Sequence, residues 1–259
     1  AVSTDRRSVV MSHQSPYKAF IFEDYSFDSD THTAKFEYSF DGQRHFTEII
    51  AFAPVALNSI QDPINDGVLQ SALQLAFYLA GTSYYKCFPT KKVIFKKSPP
   101  NVQQAAFLQK VYTEGLSQFI FENDLAVDDI AVFEGTGLES AALPYEGSGI
   151  LALQSGGKDS LLMATLLEEQ SQSYHAMYIS SSQAYPLVLD SLLSPPRVTQ
   201  RKIDREALEL ASKDGGLNGH VPVTYIVESY ALIDAILHNE NSIVVSIGSE
   251  GGEAHAHIG

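Results

Sequence analysis

The residues best suited to chemistry form one run, Ser155-Gly156-Gly157-Lys158-Asp159-Ser160. It lies between the apolar segment Ile150-Leu151-Ala152-Leu153 and a stretch in which Leu161, Leu162, Thr165 and Leu166 recur at helical spacing. The pattern reads as strand, loop, helix. Two adjacent glycines let the backbone turn sharply and bring N–H groups close to an anion, while the following helix aims the positive end of its dipole at the same point. Lys158 adds a full positive charge, so the predicted chemistry is phosphate binding. Only Gly156 and Gly157 precede the lysine, so the spacing does not match G-x-x-x-x-G-K-[ST] and a Walker A loop is excluded.

Other candidate residues collect where glycine and proline punctuate the chain. Leu217-Asn218-Gly219-His220-Val221-Pro222-Val223-Thr224 reads as the entry to a helix, with His220 as a possible acid or base. Ser246-Ile247-Gly248-Ser249-Glu250-Gly251-Gly252-Glu253 follows a strand, and Glu250 is placed to approach a nucleotide or metal. Gly81-Thr82-Ser83-Tyr84-Tyr85-Lys86 ends a helix and could read a substrate or exchange protons, although tyrosines there are commonly core residues. Cys87 could act as a thiol base or be an inert small hydrophobe. His255 and His257, at strand-like spacing, lack a third ligand for zinc.

Around these groups the chain divides into two patterns. Tyr17–Glu23, Thr33–Phe40 and Phe46–Ile50, separated by the Asp28-Ser29-Asp30 and Asp41-Gly42 turns, predict a small antiparallel meander. A helix is predicted over Asp66–Leu79 with Gly81 as its terminator, then a lysine-flanked edge strand over Lys91–Lys97, then a second helix capped by Asn101 and running to about Asn123. Phe107, Leu108, Val111, Tyr112 and Leu116 form the apolar stripe of that second helix. From 149 onward strand and helix alternate: strands Ile150–Leu153, His175–Ile179, Arg197–Ile203 and Ser242–Ile247, with helices Lys158–Glu169, Ala184–Leu193, Asp204–Ala211 and Val223–His238. That alternation predicts an α/β fold with a doubly wound parallel sheet, its ligand at the C-terminal strand ends. The expected organisation is a frayed tail over 1–16, an α+β domain over 17–133, a linker over 134–148 and a phosphate-loop domain over 149–259 that is incomplete at its C-terminus.

Composition restricts the partners. A formal charge of −14 argues against general nucleic-acid binding, because phosphate backbones reward basic surfaces. A local nest of N–H groups with Lys158 can still hold the phosphates of a small molecule. The single cysteine excludes an intrachain disulfide and is consistent with a reducing cytosol. No apolar run approaches the roughly 20 residues of a membrane span, and the start of the chain carries no targeting pattern, so a cytoplasmic protein with a small-molecule substrate is expected. The oligomeric state stays open.

The run Ser155–Ser160 resembles the SGGxDS loop of the ATP pyrophosphatases, adenine-nucleotide hydrolases of the HUP type, in which the loop holds the pyrophosphate leaving from ATP. LNGHVPVT, a strand that ends in a Ser/Glu/Gly loop, Gly81–Lys86 and Glu114-Gly115-Leu116-Ser117-Gln118-Phe119 together resemble the UDP-N-acetylmuramoyl-L-alanyl-L-glutamate epimerase family, in the same order and over about residues 18–259. The last loop departs from that family's S-N-E-x-S-A and retains only its Ser/Glu/Gly character. The resemblance implies a HUP-like ATP-binding fold and ATP- and Mg²⁺-dependent inversion of a terminal glutamate from L to D, through adenylation of its carboxylate, with release of AMP and pyrophosphate. It also implies cofactor contacts from Ser155, Gly156, Gly157, Lys158, Asp159, Ser160, Gly219 and Glu250, with Asp159 either on Mg²⁺ or capping its helix. Catalytic roles fall to Lys158, His220, Asn218, Tyr85 and Lys86. Three other readings share the phosphate loop: an adenylating ligase or amidotransferase, a thiolase or nucleobase-modifying enzyme, which the charge and lone cysteine disfavour, and a nucleotide-binding module without turnover.

Overall fold

The computed structural model describes residues 15–55, 63–137 and 142–247. Three antiparallel strands, β1 (Ala19–Asp28), β2 (Thr33–Phe40) and β3 (Arg44–Ala51), form the expected meander. Alternation drives it: Ala34, Phe36, Tyr38 and Phe40 of β2 are buried at every second position. Asp41 and Gly42 close the second hairpin at φ of 52° and 67°, and the Asp41 carboxylate accepts from the Lys18 and Ala19 amides, both at 2.9 Å. The predicted edge strand is β4 (Lys92–Phe95), which runs parallel to β1 at one end of the sheet.

The second pattern is parallel. Strands β5 (Ile150–Gln154), β6 (His175–Ser180), β7 (Arg197–Lys202) and β8 (Ser242–Val244) pair in register, β5 lying between β6 and β8. One eight-stranded mixed sheet results, ordered β4-β1-β2-β3-β7-β6-β5-β8, with antiparallel pairing of β3 to β7 joining meander to parallel strands. The protein is therefore α/β, with both the meander and the parallel strands in a single sheet. Within the parallel part the chain moves outward from β5 through β6 to β7 and then returns to β8 on the other side of β5. The direction of travel across the sheet reverses between β5 and β8, which is where open parallel sheets bind ligands.

Helices cover both faces of the parallel strands. On one side α1 (Pro63–Ala80) packs on α7 (Val223–Leu237), and both join Leu151 and Met177 in the larger core. On the other, Met163 and Ala164 of α5 (Lys158–Glu169) pack with Ala152 and Ala176. Neighbouring residues of β5 thus serve opposite faces, which is why this strand reads as a continuous apolar run.

Three expected elements differ in detail. Gly81 does not terminate α1 in a left-handed turn; at φ −53° it leads directly into α2 (Thr82–Tyr85). Its missing side chain is needed for packing, because a Cβ would lie 2.8 Å from both Phe22 Cε1 and Tyr112 Oη. Asn101 does cap α3 (Val102–Thr113), its side chain accepting from the Gln104 amide at 2.8 Å while Gln104 reaches back to the Asn101 amide. However, the helix stops before Gly115, a separate short helix α4 (Ser117–Glu122) follows, and Leu116 and Phe119 are buried. Phe107 is exposed rather than part of the buried stripe. Finally, Ala184–Leu193 forms only a 3₁₀ turn over Leu187–Ser191, since Pro186 sits at its start and Pro195-Pro196 follow shortly after. α6 (Arg205–Lys213) begins where expected, capped by Asp204 on the Ala207 amide at 3.0 Å.

Two buried ionic clusters fix the parallel strands. Glu48 of β3, wholly buried on an apolar face, accepts from Arg201 Nε of β7 at 2.6 Å and from the Tyr230 hydroxyl of α7. Ser83 accepts from Arg201 Nη2 at 3.0 Å. At the starts of the same strands Arg197 donates to Asp234 of α7 at 2.7 Å and to Glu240 at 2.6 Å, and Glu240 meets His175 Nδ1 of β6 at 2.7 Å. Burial pushes the Asp234 carboxyl above its usual range, against the pull of Arg197 and His238. Such clusters hold β7 and α7 in register.

Candidate functional site

The loop Ser155–Ser160 leaves the C-terminal end of β5 and enters α5, whose N-cap is Gly157. Gly156 adopts φ +77°, a conformation that side chains disfavour, and a Cβ there would stand 3.1 Å from Pro186 Cγ. Ser160, buried beneath the loop, ties it together: its hydroxyl donates to the Gly157 carbonyl at 3.0 Å and accepts from the Ser155 amide at 3.2 Å. The Ser155 hydroxyl accepts from the Gly157 amide, also at 3.2 Å. Lys158 and Asp159 are exposed in the first helical turn. Asp159 does not cap α5, because the cap position belongs to Gly157 and no side chain bonds there. The N–H groups of a first turn have no partner inside the helix, so the arrangement can receive an anion.

This loop borders a cavity of about 180 Å³ lined by Leu153, Gln154 and Ser155 from the end of β5, by Val223, Thr224, Val227 and Glu228 from α7, and by Val245, Ser246 and Ile247 from the segment after β8. The cavity sits at the reversal between β5 and β8. All three glycine-punctuated motifs of the parallel part therefore contribute to one place: the phosphate loop, the LNGHVPVT segment through Val223 and Thr224, and the last loop through Ser246 and Ile247.

Two polar residues of the cavity lie outside those motifs. Gln154 is 4% exposed, and neither its amide nitrogen nor its oxygen has a hydrogen-bond partner. A polar residue ending the otherwise apolar run ILALQ was the available clue. Glu228 also lines an adjoining apolar cavity of about 480 Å³, between Leu75, Leu79, Phe107, Leu232 and Ile243. Burial raises its carboxyl above the ordinary glutamate value. An acid within the apolar helix VTYIVESYALIDAIL marks it in retrospect.

The remaining candidates form a second group. Lys86 Nζ donates to Asn218 Oδ1 at 2.7 Å and to the Gly219 carbonyl at 2.9 Å, so Lys86, Asn218 and Gly219 are brought together across 132 residues of sequence. Gly219 is required by close packing, since a Cβ would lie 2.8 Å from Phe119 Cδ2. Burial lowers the Lys86 pKa. His220 is exposed on the same loop, three residues before α7. The side chains of Lys86, Asn218 and His220 are not part of the cavity lining. Tyr85 is wholly buried, its hydroxyl accepting from the Ala131 amide at 2.7 Å and donating to the Thr90 carbonyl at 3.1 Å, so in this structure it serves the core. Cys87 is also buried, its thiol pushed up to about 11 by desolvation, which argues against a base. Glu250, His255 and His257 lie outside the described residues. Among the described residues no group of three or more His, Cys, Asp or Glu could hold a metal ion, and no helix is long and apolar enough to cross a membrane.

A left-handed glycine turn at Gly156, the start of α5 and Lys158 form a donor set suited to the phosphates of a nucleotide. A single carboxylate, Asp159, is a suitable donor for an ion that takes its other oxygens from phosphate and water.

The MurL N-terminal domain family matches residues 11–251. Three curated relatives carry the name UDP-N-acetyl-alpha-D-muramoyl-L-alanyl-L-glutamate epimerase. That of Xanthomonas oryzae pv. oryzae (strain MAFF 311018) is 29% identical over 231 residues, which cover 88% of this chain and 50% of the relative. The one from Micromonospora sp. (strain ATCC 39149 / NRRL 15099 / SCC 1413) is 29% identical over 237 residues, 88% of this chain and 52% of the relative. The one from Salinispora tropica (strain ATCC BAA-916 / DSM 44818 / JCM 13857 / NBRC 105044 / CNB-440) is 28% identical over 234 residues, 88% of this chain and 50% of the relative. The chain thus spans about half the length of the curated relatives it matches. No solved structure matches. Matched from residue 11 to residue 251, the chain belongs to the MurL N-terminal domain family.

Proposed function

We propose that this chain is the nucleotide-binding part of an ATP- and Mg²⁺-dependent epimerase that inverts the terminal glutamate of UDP-N-acetylmuramoyl-L-alanyl-L-glutamate from L to D, in peptidoglycan precursor synthesis. Family membership and the relatives' name support the substrate class. The observation that carries the nucleotide reading is the meeting of the phosphate loop, the start of α7 and the segment after β8 around one cavity at the β5–β8 reversal.

The Cα–H of a glutamate is a very poor acid while its carboxylate carries a charge, because deprotonation would add a second negative charge beside the first. ATP would supply activation of that carboxylate by adenylation, with AMP and pyrophosphate as products and Asp159 holding Mg²⁺.

The chain's own groups then have distinct tasks. Gly156 and Gly157 let the backbone close around a phosphate, and Ser155 and Ser160 keep the loop in that shape through their mutual hydrogen bonds. Lys158 offsets charge developing on the leaving pyrophosphate. Gly219 shapes the loop before α7 and Glu250 serves the same nucleotide site. Proton transfer at Cα is assigned to the exposed His220 with Lys86 and Asn218; Lys86 is already partly desolvated, as a lysine that must give up its proton should be. Tyr85 acts only by supporting that group from the core.

Incubation of the full-length protein with ATP, Mg²⁺ and the L-glutamyl substrate in heavy water tests the reading. A D-glutamyl product carrying one deuterium at Cα is expected. Retention of the L configuration, with ATP consumed, would refute epimerisation and favour a ligase.

A further inference from the structure

A third cavity, of about 460 Å³, opens at the C-terminal ends of β6 and β7 and is lined by Ser181, Arg201, Lys202, Ile203 and Arg205. None of these residues is acidic, although the chain carries 31 aspartates and glutamates against 17 lysines and arginines. Arg201 is committed to Glu48 and Ser83. Lys202 and Arg205 are exposed, and among the described residues neither pairs with a carboxylate. Two cations in one concavity without a counter-charge favour an anion there. Position relates this cavity to the phosphate loop. Ala152 of β5 and Ala176 of β6 face α5. Side chains alternate along a strand, and in the parallel pairing of β6 with β7, Tyr178 stands beside Val198 and Ser180 beside Gln200. Gln200 and Lys202 therefore point to the α5 side of the sheet and Arg197 and Arg201 to the α7 side, in keeping with the bond from Arg197 to Asp234 of α7. Gln200 Nε2 donates to the Ser181 carbonyl at 3.1 Å and so ties the ends of β6 and β7 together. Lys202 thus shares a sheet edge and a face with the start of α5, two strands away, or about 10 Å at the usual strand spacing.

We propose that this cavity binds the side-chain carboxylate of the substrate's terminal glutamate, held by Lys202 and Arg205, while the carboxylate beside Cα is activated at the loop. The inference rests on the epimerase reading above and adds the residues that select glutamate. Adenylation neutralises one carboxylate and leaves the other ionised, so the substrate needs a counter-charge close to the loop yet apart from it. Lysine and arginine at the mouth of a cavity supply that charge with donors for both carboxylate oxygens. The diphosphate of the same substrate is separated from the glutamate by the muramoyl and alanyl units, so a glutamate reacting at the loop carries that group well beyond a site two strands away.

Equilibrium binding of UDP-N-acetylmuramoyl-L-alanyl-L-glutamate, of its L-glutaminyl analogue and of UDP-N-acetylmuramoyl-L-alanine, with α,β-methylene-ATP present, tests the proposal on the full-length protein and on a variant carrying both Lys202→Gln and Arg205→Gln. Wild type should bind the glutamyl compound at least tenfold more tightly than the glutaminyl one, the worth of a hydrogen bond to a charged group. The variant should bind those two about equally, and its affinities for the alanyl compound and for ATP should match those of wild type. Both replaced side chains are exposed, so its thermal midpoint should not change. A variant that keeps the glutamyl preference overturns the role of Lys202 and Arg205 and leaves the epimerase reading standing. Equal weakening of the alanyl compound or of ATP would assign the two cations to a phosphate and overturn it as well. Wild type that binds none of the three compounds overturns the epimerase reading and this site with it.

Discussion

Replacing Gly156 with alanine probes the phosphate loop at its most constrained point. The left-handed backbone at φ +77° costs a side-chain-bearing residue about 1–2 kcal/mol, and the reduced freedom of the unfolded chain adds to the stability change of any Gly→Ala substitution by about 0.4–1 kcal/mol in the opposite sense. The net loss is roughly 1 kcal/mol, which lowers the thermal midpoint by about 2–4 °C in a chain of this size. Gly215, at φ +86° with nothing within 4 Å of the place a Cβ would take, carries the same backbone cost without a neighbour, so Gly215→Ala is the matched control. Only at Gly156 does the new methyl group also press on Pro186, at 3.1 Å, and displace amides that would face phosphate. Loss of one hydrogen bond to a charged group, worth about 1.5–3 kcal/mol, corresponds to roughly 10- to 150-fold weaker binding. ATP titration of the two variants at matched stability separates the effects. Gly156→Ala should bind at least tenfold more weakly than Gly215→Ala. Equal affinities would refute the assignment of the loop to phosphate.

Other consequences are tested more simply. Glu48→Gln leaves Arg201 buried without its counter-charge, and chemical denaturation should report a loss of about 3–5 kcal/mol; a change below about 1 kcal/mol would show that the cluster does not join β3 to β7. The Glu228 carboxyl is raised by burial, so its contribution to stability is full below the unfolded-state pKa and is lost as pH rises through the higher folded-state value. The midpoint of Glu228→Gln relative to wild type should therefore rise as pH increases above the ordinary glutamate range, and a constant difference would contradict the shift. Cys87, with its thiol near 11, should hold about 0.1% thiolate at pH 8 and resist iodoacetamide until the protein unfolds; rapid native-state alkylation would place it at an accessible site.

Local patterns made much of this fold legible. The alternation in β2, the apolar run of β5 and the helical spacing of α5 and α7 each specify an element, and the Asn101 capping box marks the start of α3 correctly. What local pattern could not reveal was tertiary. Gly81 reads as a helix terminator, but its role is to let Phe22 and Tyr112 approach the backbone. No local pattern marks Glu48 as a core residue; the pairing of β3 with β7 is what brings Arg201 against it. The candidate site was legible to the extent that glycine-rich motifs mark strand ends. Which motifs meet depended on strand order, and the same order brought Gln154 and Glu228 into the cavity without any motif of their own. Conversely, Tyr85 sits in a promising motif yet spends its hydroxyl on the backbone at Thr90 and Ala131.

At the centre of the proposed function, ATP bound at the Ser155–Ser160 loop drives the inversion of glutamate. Counting AMP released against D-glutamyl product formed, by the full-length protein and by Lys158→Ala, tests it most directly. One AMP for each inverted glutamate is expected, with loss of both products together in the variant while folding stays intact. Inversion without AMP, or an undiminished rate in Lys158→Ala, would contradict it.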